Sequence, residues 1–384
     1  MDRKLLSMGL MAMALGLGCG DSATTGNDAG TPDSGTPGTD GGGTTDTPSV
    51  PTDNGIAPMT YDYVINRLLV DEGQDPPGTR GFYGFNLDDR YSRSTTSQQM
   101  PLDCNHGDYF STIDPDQNMG TCAAGTSGGG SGCQGGVDNQ LPVIAQTLQQ
   151  FQASLNVQAL LDEQTSGGSL TILVRVEDVN GTPGPTLNDP SVRVLVYPNA
   201  WALFPNCADI NNPGQMYQVD DRSLNTPGDL SSAKLRFDGS IVNGRLIITP
   251  TAASSSMPNF SIPLPIQGVM LNLDLYRTQL RVTMGDADRG TNGNLGGFVL
   301  QTTLLNALTM VPALMPFRDA AAPLIEGFVD VATNTGGSGA SCMNPEGGIG
   351  MGLGFTTVRA NISPMSTATR PASACGAPAG DGGA

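Results

Sequence analysis

Two rhythms of apolar and polar residues divide the chain. Over residues 141–161 apolar side chains recur at intervals of three and four, which predicts one amphipathic helix. Asp138 or Asn139 is placed to cap its start, and Gly167 is placed to end it. The apolar stripe is too short for a coiled coil, so this helix is expected to pack its stripe against a core.

Outside that helix the dominant period is two, which is typical of strands with one buried face. Asn243-Gly244 lies between two such segments and predicts a tight hairpin, while Pro263 and Pro265 place residues 261–266 at a sheet edge or in a loop. The predicted strands cover residues 61–70, 170–176, 192–196, 235–237, 246–249, 271–275, 280–284 and 355–362. Two further helices are predicted over residues 298–310 and 323–333.

These elements predict an α+β fold that is mainly β: an antiparallel β-sandwich or a curved sheet, with about three helices and long Gly/Asp-rich loops. The composition agrees, because the 36 acidic residues include only five glutamates, and aspartate favours turns over helices. We expect one β-rich domain over residues 58–363. Two subdomains meeting near residue 200 are the alternative, since chains of this size often split.

The first nineteen residues have the pattern of a secretion signal that ends at a lipid-accepting cysteine. A basic start is followed by an apolar run over residues 5–17 and by Gly18-Cys19. The run is shorter than the roughly twenty residues that a spanning helix needs. We therefore predict a signal peptide over residues 1–19 and palmitate on Cys19. Ordinary cleavage after Ala14, leaving Cys19 as a free thiol, is the alternative.

Two segments flank the predicted domain. Residues 20–57 are Gly/Thr/Asp/Pro-rich, with six aspartates and no basic residue, which predicts a disordered tether. A flexible coil of this length spans about 34 Å root-mean-square. Residues 364–384 are Ala/Pro/Ser/Gly-rich and are expected to form a flexible C-terminal tail.

The formal net charge of −18 limits the classes of partner. Nucleic-acid binding is disfavoured because phosphate contacts require a basic face, and the same reasoning applies to anionic lipid headgroups. With the N-terminal signal, this predicts an extracytoplasmic protein held to a membrane, the outer membrane or cell surface, by its lipid anchor.

Six cysteines follow Cys19, and an even number in an exported chain predicts three disulfides. Cys122 and Cys133 flank a flexible Gly/Ser-rich spacer and are expected to pair. The pairing of the other four is left open; they are Cys104, Cys207, Cys342 and Cys375. A structural zinc site is a weak rival, because no Cys-x-x-Cys pair exists and His106 is the only histidine.

Three short glycine-containing runs carry a resemblance. They are Gly84-Phe85-Asn86-Leu87-Asp88, Gly136-Val137-Asp138-Asn139-Gln140-Leu141 and Gly352-Leu353-Gly354-Phe355-Thr356. Together with the anchor and tether, these runs resemble a group of uncharacterised lipoproteins of Gram-negative soil bacteria, over about residues 60–362. The resemblance implies a cell-surface lipoprotein but no activity, so it assigns no functional residue.

The sequence favours a non-catalytic protein. A serine hydrolase needs a base beside its nucleophile, and His106 lies in a polar loop segment. The HExxH and phosphate-loop motifs are absent from the sequence. A glycosidase-type carboxylate pair stays open, since no spacing singles out one pair among so many aspartates.

Two clusters suggest binding. Residues 73–136 form a long Asp-rich loop in which Asp114, Asp116 and Asn118 place oxygen ligands at alternate positions, suggesting a calcium site. Asp286 and Asp288, with Asn292 and Asn294, form a similar group. The aromatic residues Tyr197, Trp201 and Phe204 are either core residues or a sugar-stacking platform.

The predicted function is therefore a lipid-anchored surface protein whose domain binds an unidentified ligand outside the cell. One alternative is a carrier of an apolar ligand on the concave face of a curved sheet. The residues assigned to that face are Leu271, Leu273, Leu275, Leu280 and Val282. A secreted hydrolase is the other alternative.

Overall fold

The first and last strands of the domain lie side by side. In the computed structural model, β1 (Met59–Leu69) pairs antiparallel with β13 (Gly348–Ile362), bringing Tyr63 opposite Arg359. All described residues belong to the compact unit Asp53–Ala384. The described residues are 57–71, 74–75, 79–80, 82–85, 87, 137–151, 156–204, 206–248, 260–266, 269–310, 315, 318–331, 347–371 and 374–375.

Within these ranges the chain forms thirteen strands and four α-helices. The remaining strands are β2 (Gln74–Asp75), β3 (Thr79–Arg80), β4 (Leu173–Val179), β5 (Asp189–Tyr197), β6 (Ala200–Ala202), β7 (Gln215–Val219), β8 (Leu235–Val242), β9 (Arg245–Ile248), β10 (Phe260–Ile266), β11 (Val269–Met284) and β12 (Arg289–Leu300). The helices are α1 (Leu141–Phe151), α2 (Val157–Ser166), α3 (Gln301–Met310) and α4 (Arg318–Gly327).

Eight strands close into an antiparallel barrel in the order β1, β4, β5, β8, β9, β11, β12 and β13, which returns to β1. Strand β10 pairs with the first half of β11 beside this ring. The end of β13 also pairs in parallel with β7, and β7 pairs with β6, which forms a small side sheet. The barrel is thus the main scaffold, and β6, β7 and β10 lie outside it.

The alternating pattern separates two hydrophobic cores. Tyr63 and Val174 point into the barrel and belong to the larger core, whereas their neighbours Val64 and Leu173 point outward and belong to a second core. β-Branched side chains suit both faces of such a sheet. The second core lies between the outside of the barrel and the side sheet and includes Tyr197 and Phe204. Trp201, on β6, is buried as well. The prediction that these aromatics are core residues is confirmed.

The two ends of the barrel differ. At the helix end, where β13 begins, α1 to α4 contribute Ile144, Leu161, Leu304 and Ile325 to the larger core. At the loop end, where β13 finishes, the chain turns back through residues 180–188, 243–244 and 285–288. Side chains of helices therefore close one end, and backbone loops surround the other.

A disulfide fastens the C-terminal segment to the side sheet. Cys207 and Cys375 are bonded, with 5.2 Å between their Cα atoms. Cys375 donates its N–H to the carbonyl of Ala202, and Thr367 donates to the carbonyl of Val219. The described part of residues 364–375, which the sequence places in a tail, thus hydrogen-bonds to the side sheet.

The mainly-β α+β class is confirmed, but the predicted sandwich or curved sheet is a closed barrel instead. Closure depends on β1 pairing with β13, between residues at opposite ends of the domain. Local periodicity identifies a strand but not its distant partner, so the sequence pattern did not distinguish an open sheet from a closed one.

Two predicted helices have different boundaries. The single helix over residues 141–161 is α1 followed by α2, because Asn156 caps a new helix by accepting the N–H of Ala159. The helix expected at residue 298 begins at Gln301, since residues 298–300 of β12 still pair with β13. The helix predicted over residues 323–333 is α4, which begins earlier, at Arg318.

Candidate functional site

The three glycine-containing runs meet on the outer face of the barrel. Residues 82–85 and 137–140 lie against the glycine-bearing faces of β12 and β13 at the helix end. We call this arrangement the polar seam. It consists of residues 82–85, 87 and 137–140 and the residues that bind them, which are Arg277, Asn294, Asp330, Gly350 and Gly352. It joins segments that are far apart in the sequence into one hydrogen-bonded unit.

Glycine allows the seam to form because it lets backbone pack on backbone. A Cβ atom at Gly350 would lie 2.3 Å from the carbonyl oxygen of Asp138. A Cβ atom at Gly352 would lie 2.3 Å from the carbonyl oxygen of Tyr83. Both distances are far below any normal contact, so a larger residue at either position would push the seam segments away from the barrel.

Asn139 makes hydrogen bonds to three parts of the seam. It is 0% exposed and donates to the carbonyls of Tyr83, at 2.7 Å, and Gly352, at 3.2 Å. Its Oδ1 accepts the N–H groups of Gly352 and Leu141, both at 2.9 Å. The side chain therefore joins the 82–87 segment, strand β13 and the start of α1, and the predicted cap of that helix is confirmed.

Asp138 holds the two ends of a long segment together. Its Oδ2 accepts the N–H of Leu87 at 2.6 Å, and its own N–H donates to the carbonyl of Phe85 at 3.0 Å. Asp138 is buried. The described residues on either side of residues 88–136, a stretch with six aspartates and two arginines, thus lie next to each other.

Gln140 and Asp330 extend the seam towards α4. Gln140 donates from Nε2 to Asp330 Oδ2 at 3.0 Å, while Asp330 Oδ1 accepts the N–H of Gly350 at 2.6 Å. Both side chains are at most 1% exposed. These hydrogen bonds link the segment before α1 to β13 and to the segment after α4, so the two side chains are suited to fixing chain positions.

Strands β11 and β12 supply the remaining contacts. Asn294 exchanges two hydrogen bonds with Gly84, at 2.7 and 2.9 Å. Arg277 donates to the carbonyl of Leu87 at 2.9 Å, and the Arg281 guanidinium lies 5.1 Å from the centre of the Phe85 ring. These contacts attach the 82–87 segment to two further barrel strands.

Several predicted site residues lie outside the described residues. They are Cys19, the calcium candidates Asp114, Asp116 and Asn118, and the cysteines Cys104, Cys122, Cys133 and Cys342. Cys207 and Cys375, whose pairing the sequence left open, are bonded to each other. Among the described residues no three His, Cys, Asp or Glu side chains are grouped so that they could hold a metal ion.

The second Asp/Asn group does not converge on one site. Asp286 Oδ1 accepts the N–H groups of Asp288 and Arg289, as in a tight turn at the loop end. Asn294 instead lies in the polar seam, where it is bound to Gly84. Asp286 thus stabilises a local turn and Asn294 holds a distant backbone segment, so the two residues do not share a site.

Sequence reasoning missed most of the seam. Asn139 was identified only as a helix cap, and Arg277 and Asp330 carried no recognisable signal. The signal available in the sequence is the presence of both an alternating Gly-x-Gly run and an Asp-Asn-Gln triplet, at residues 138–140.

Comparison with known proteins gave no assignment: no family model, curated protein or solved structure matches the chain. Within the described ranges, none of the helices is long and apolar enough to cross a membrane.

Proposed function

We propose that this chain is a lipid-anchored, extracytoplasmic surface protein whose barrel presents residues 88–136 for non-catalytic binding of a ligand outside the cell. The observation that carries the proposal is the clamp made by Asp138 on Phe85 and Leu87. It supports the proposal because binding loops are typically mobile and take their position from a rigid scaffold at their base.

The energetics of the seam support the same conclusion. Asn139 alone takes part in four hydrogen bonds, three of them buried, and these bonds at the base of a segment fix where that segment begins and ends. The side chains of the seam bond mainly to backbone groups of the protein, which suits a scaffold better than a reacting centre. The negative charge of residues 88–136 favours a cation or a ligand with hydrogen-bond donors.

The anchor and the tether complete the proposal. Gly18-Cys19 supplies the lipid attachment, and residues 20–57 separate the barrel from the membrane by about 34 Å as a flexible coil. An acidic spacer also keeps the domain away from an anionic membrane surface, because like charges repel.

The anchor is tested by labelling cells with palmitate. The wild-type chain should incorporate the label, and Cys19→Ala should abolish it. Labelling that persists in Cys19→Ala would contradict the proposed anchor.

The binding role is tested by replacing residues 90–134 with a short Gly/Ser linker and comparing both proteins on a glycan array, with and without calcium. The seam remains intact in this variant, so its melting temperature should stay close to that of the wild type while glycan binding is lost. If both proteins bind the array equally, or neither binds, the proposed role of residues 88–136 is wrong.

A further inference from the structure

The chain that follows β13 lies along the side sheet. We call the described residues of 364–375 the C-terminal strap. They form one isolated β-bridge and no helix or strand. Thr367 donates its N–H to the carbonyl of Val219 at 3.1 Å, and Cys375 donates to the carbonyl of Ala202 at 3.0 Å. Scattered hydrogen bonds and the disulfide to Cys207 therefore hold the strap in place.

The two cysteines of this disulfide differ in their access to solvent. Cys375 is 3% exposed and belongs to the second core, whereas Cys207 is only partly buried, at the start of the short 3₁₀ helix Cys207–Asn211. Gly168 packs on the buried sulfur, because a Cβ atom at that glycine would lie 2.7 Å from Cys375 Sγ. A thiol that approaches from solvent therefore has better access to Cys207.

Arg370 places a positive charge beside the buried cysteine. Its Nη2 donates to the carbonyl of Cys375 and, at 3.4 Å, to the carbonyl of Gly168, while its Nε has no hydrogen-bonding partner in the described structure. Burial lowers the pKa of Arg370, but a guanidinium keeps its proton near neutral pH. Because a neighbouring cation stabilises a thiolate, Arg370 favours negative charge on Cys375.

The end of α2 lies against both sulfur atoms. The carbonyl oxygen of Gly167 is 3.7 Å from Cys207 Sγ and 3.8 Å from Cys375 Sγ. The C-terminal end of a helix carries a partial negative charge, which disfavours a thiolate beside it. Because the two distances are nearly equal, the helix end does not distinguish the two cysteines, whereas Arg370 does.

We propose that Cys207 is the site at which an external dithiol opens this disulfide, and that opening releases the C-terminal strap from a barrel that stays folded. The attacking thiol gives its proton to solvent, and its sulfur bonds to Cys207 Sγ as the bond to Cys375 breaks. The electron pair of the broken bond leaves on Cys375 Sγ, beside Arg370. The second thiolate of the dithiol then displaces Cys207 as a thiolate, and the dithiol becomes a disulfide.

The barrel does not depend on the strap. The ring closes through β1 and β13, and β13 pairs with β7 through residues 360–362, before the strap begins. With the disulfide open, the strap keeps only separate hydrogen bonds, and segments held in this way open locally at low free energy. Release frees the carbonyls of Ala202 and Val219 on the side sheet. The site goes beyond the surface-binding function proposed above and does not depend on it.

The point of attack is tested with 2-mercaptoethanol, a neutral monothiol that leaves a mixed disulfide. The full chain is treated briefly, quenched with iodoacetamide and mapped by peptide mass spectrometry. Mercaptoethanol should be found on Cys207 and the alkyl group on Cys375. The reverse assignment would overturn the proposal, as would a disulfide that stays closed until the whole protein unfolds.

Release of the strap is tested by amide hydrogen exchange with and without dithiothreitol. The amides of Thr367 and Cys375 should exchange at least about tenfold faster after reduction, while the barrel amides of Ile65 and Gly352 stay protected. Cys207→Ser, without dithiothreitol, should reproduce this pattern and excludes effects of the other cysteines. Equal loss of protection at both sets of amides, or no change at the strap, would overturn the proposed release.

The role of Arg370 has a separate test. Arg370→Gln should slow the opening by dithiothreitol at least about twofold, because the Cys375 thiolate becomes a poorer leaving group, and Arg370→Lys, which keeps the charge, should restore the rate. If Arg370 only holds the strap in place, Arg370→Gln loosens the strap and the disulfide opens faster. An unchanged or faster rate would therefore overturn the assignment of Arg370.

Discussion

Replacing Asn139 with alanine should destabilise the protein more than any other single amide substitution in the seam. The substitution removes four hydrogen bonds, to Tyr83, Leu141 and both backbone groups of Gly352, and the bonds to Tyr83 and Gly352 are buried. At about 0.5–1.5 kcal/mol for each bond, the expected loss is about 2–6 kcal/mol. That is a large part of the roughly 5–15 kcal/mol that stabilises a typical domain.

Urea denaturation, followed by Trp201 fluorescence and by far-UV circular dichroism, measures this loss. The single tryptophan is buried on β6, so agreement between the two signals shows that the domain unfolds as one unit. Asn212→Ala is the matched control, because Asn212 is exposed and its side chain makes one hydrogen bond, to Asp209. If Asn139→Ala falls within about 1 kcal/mol of this control, the seam does not have the stabilising role argued from its hydrogen bonds.

Three other predictions follow from the seam, the buried tyrosines and the acidic loop. Gly352→Ala should lower the free energy of unfolding by at least about 1–3 kcal/mol, because the new Cβ would lie 2.3 Å from the Tyr83 carbonyl oxygen. The control is Gly285→Ala, whose Cβ would have nothing within 4 Å and which should leave the urea midpoint unchanged. Equal midpoints for the two variants would refute the close packing. Burial raises the pKa values of Tyr63, Tyr197 and Tyr217, so the unfolded chain loses these phenol protons at lower pH than the folded chain does. The free energy of unfolding should therefore be constant below pH about 10 and then fall by up to about 1.4 kcal/mol per tyrosine per pH unit. A flat profile from about pH 9 to 11 would contradict this. If Asp114, Asp116 and Asn118 bind calcium at about 10⁻⁵ M, then 1 mM calcium should add about 2.7 kcal/mol relative to EDTA, with magnesium as the control for charge screening; identical melting curves and no calcium by elemental analysis would exclude the site.

Local patterns predicted those parts of the fold that depend on neighbouring residues. The Asn243-Gly244 turn joins β8 to β9 as expected, with both residues at positive φ. Pro263 and Pro265 lie in β10, which among the described strands pairs with β11 alone, as their exclusion from central strands requires. In both cases the deciding chemistry is carried by one or two residues and does not depend on a distant partner.

Features that depend on distant partners were not predicted. The runs over residues 271–275 and 280–284 are one strand, β11, in which Arg277 at a φ of +50° marks an irregularity that changes the pairing register. The side sheet was missed because β6 has only three residues and β7 only five. Strands this short gain their stability from tertiary packing, which a periodicity of two cannot reveal.

The glycine strand shows why the seam escaped sequence reasoning. Residues 348–355 alternate glycine with an apolar residue, which is a period of two, but glycine is unfavourable in strands and the prediction began only at Phe355. The apolar residues Ile349, Met351 and Leu353 point into the barrel core, while the opposite face is bare backbone. A bare face on a long strand is stable only when other groups satisfy or cover it, and here the Asp138-Asn139-Gln140 segment does both. An alternating Gly/apolar run, together with a distant Asp-Asn-Gln triplet, therefore predicts a strand whose glycine face receives a second chain segment.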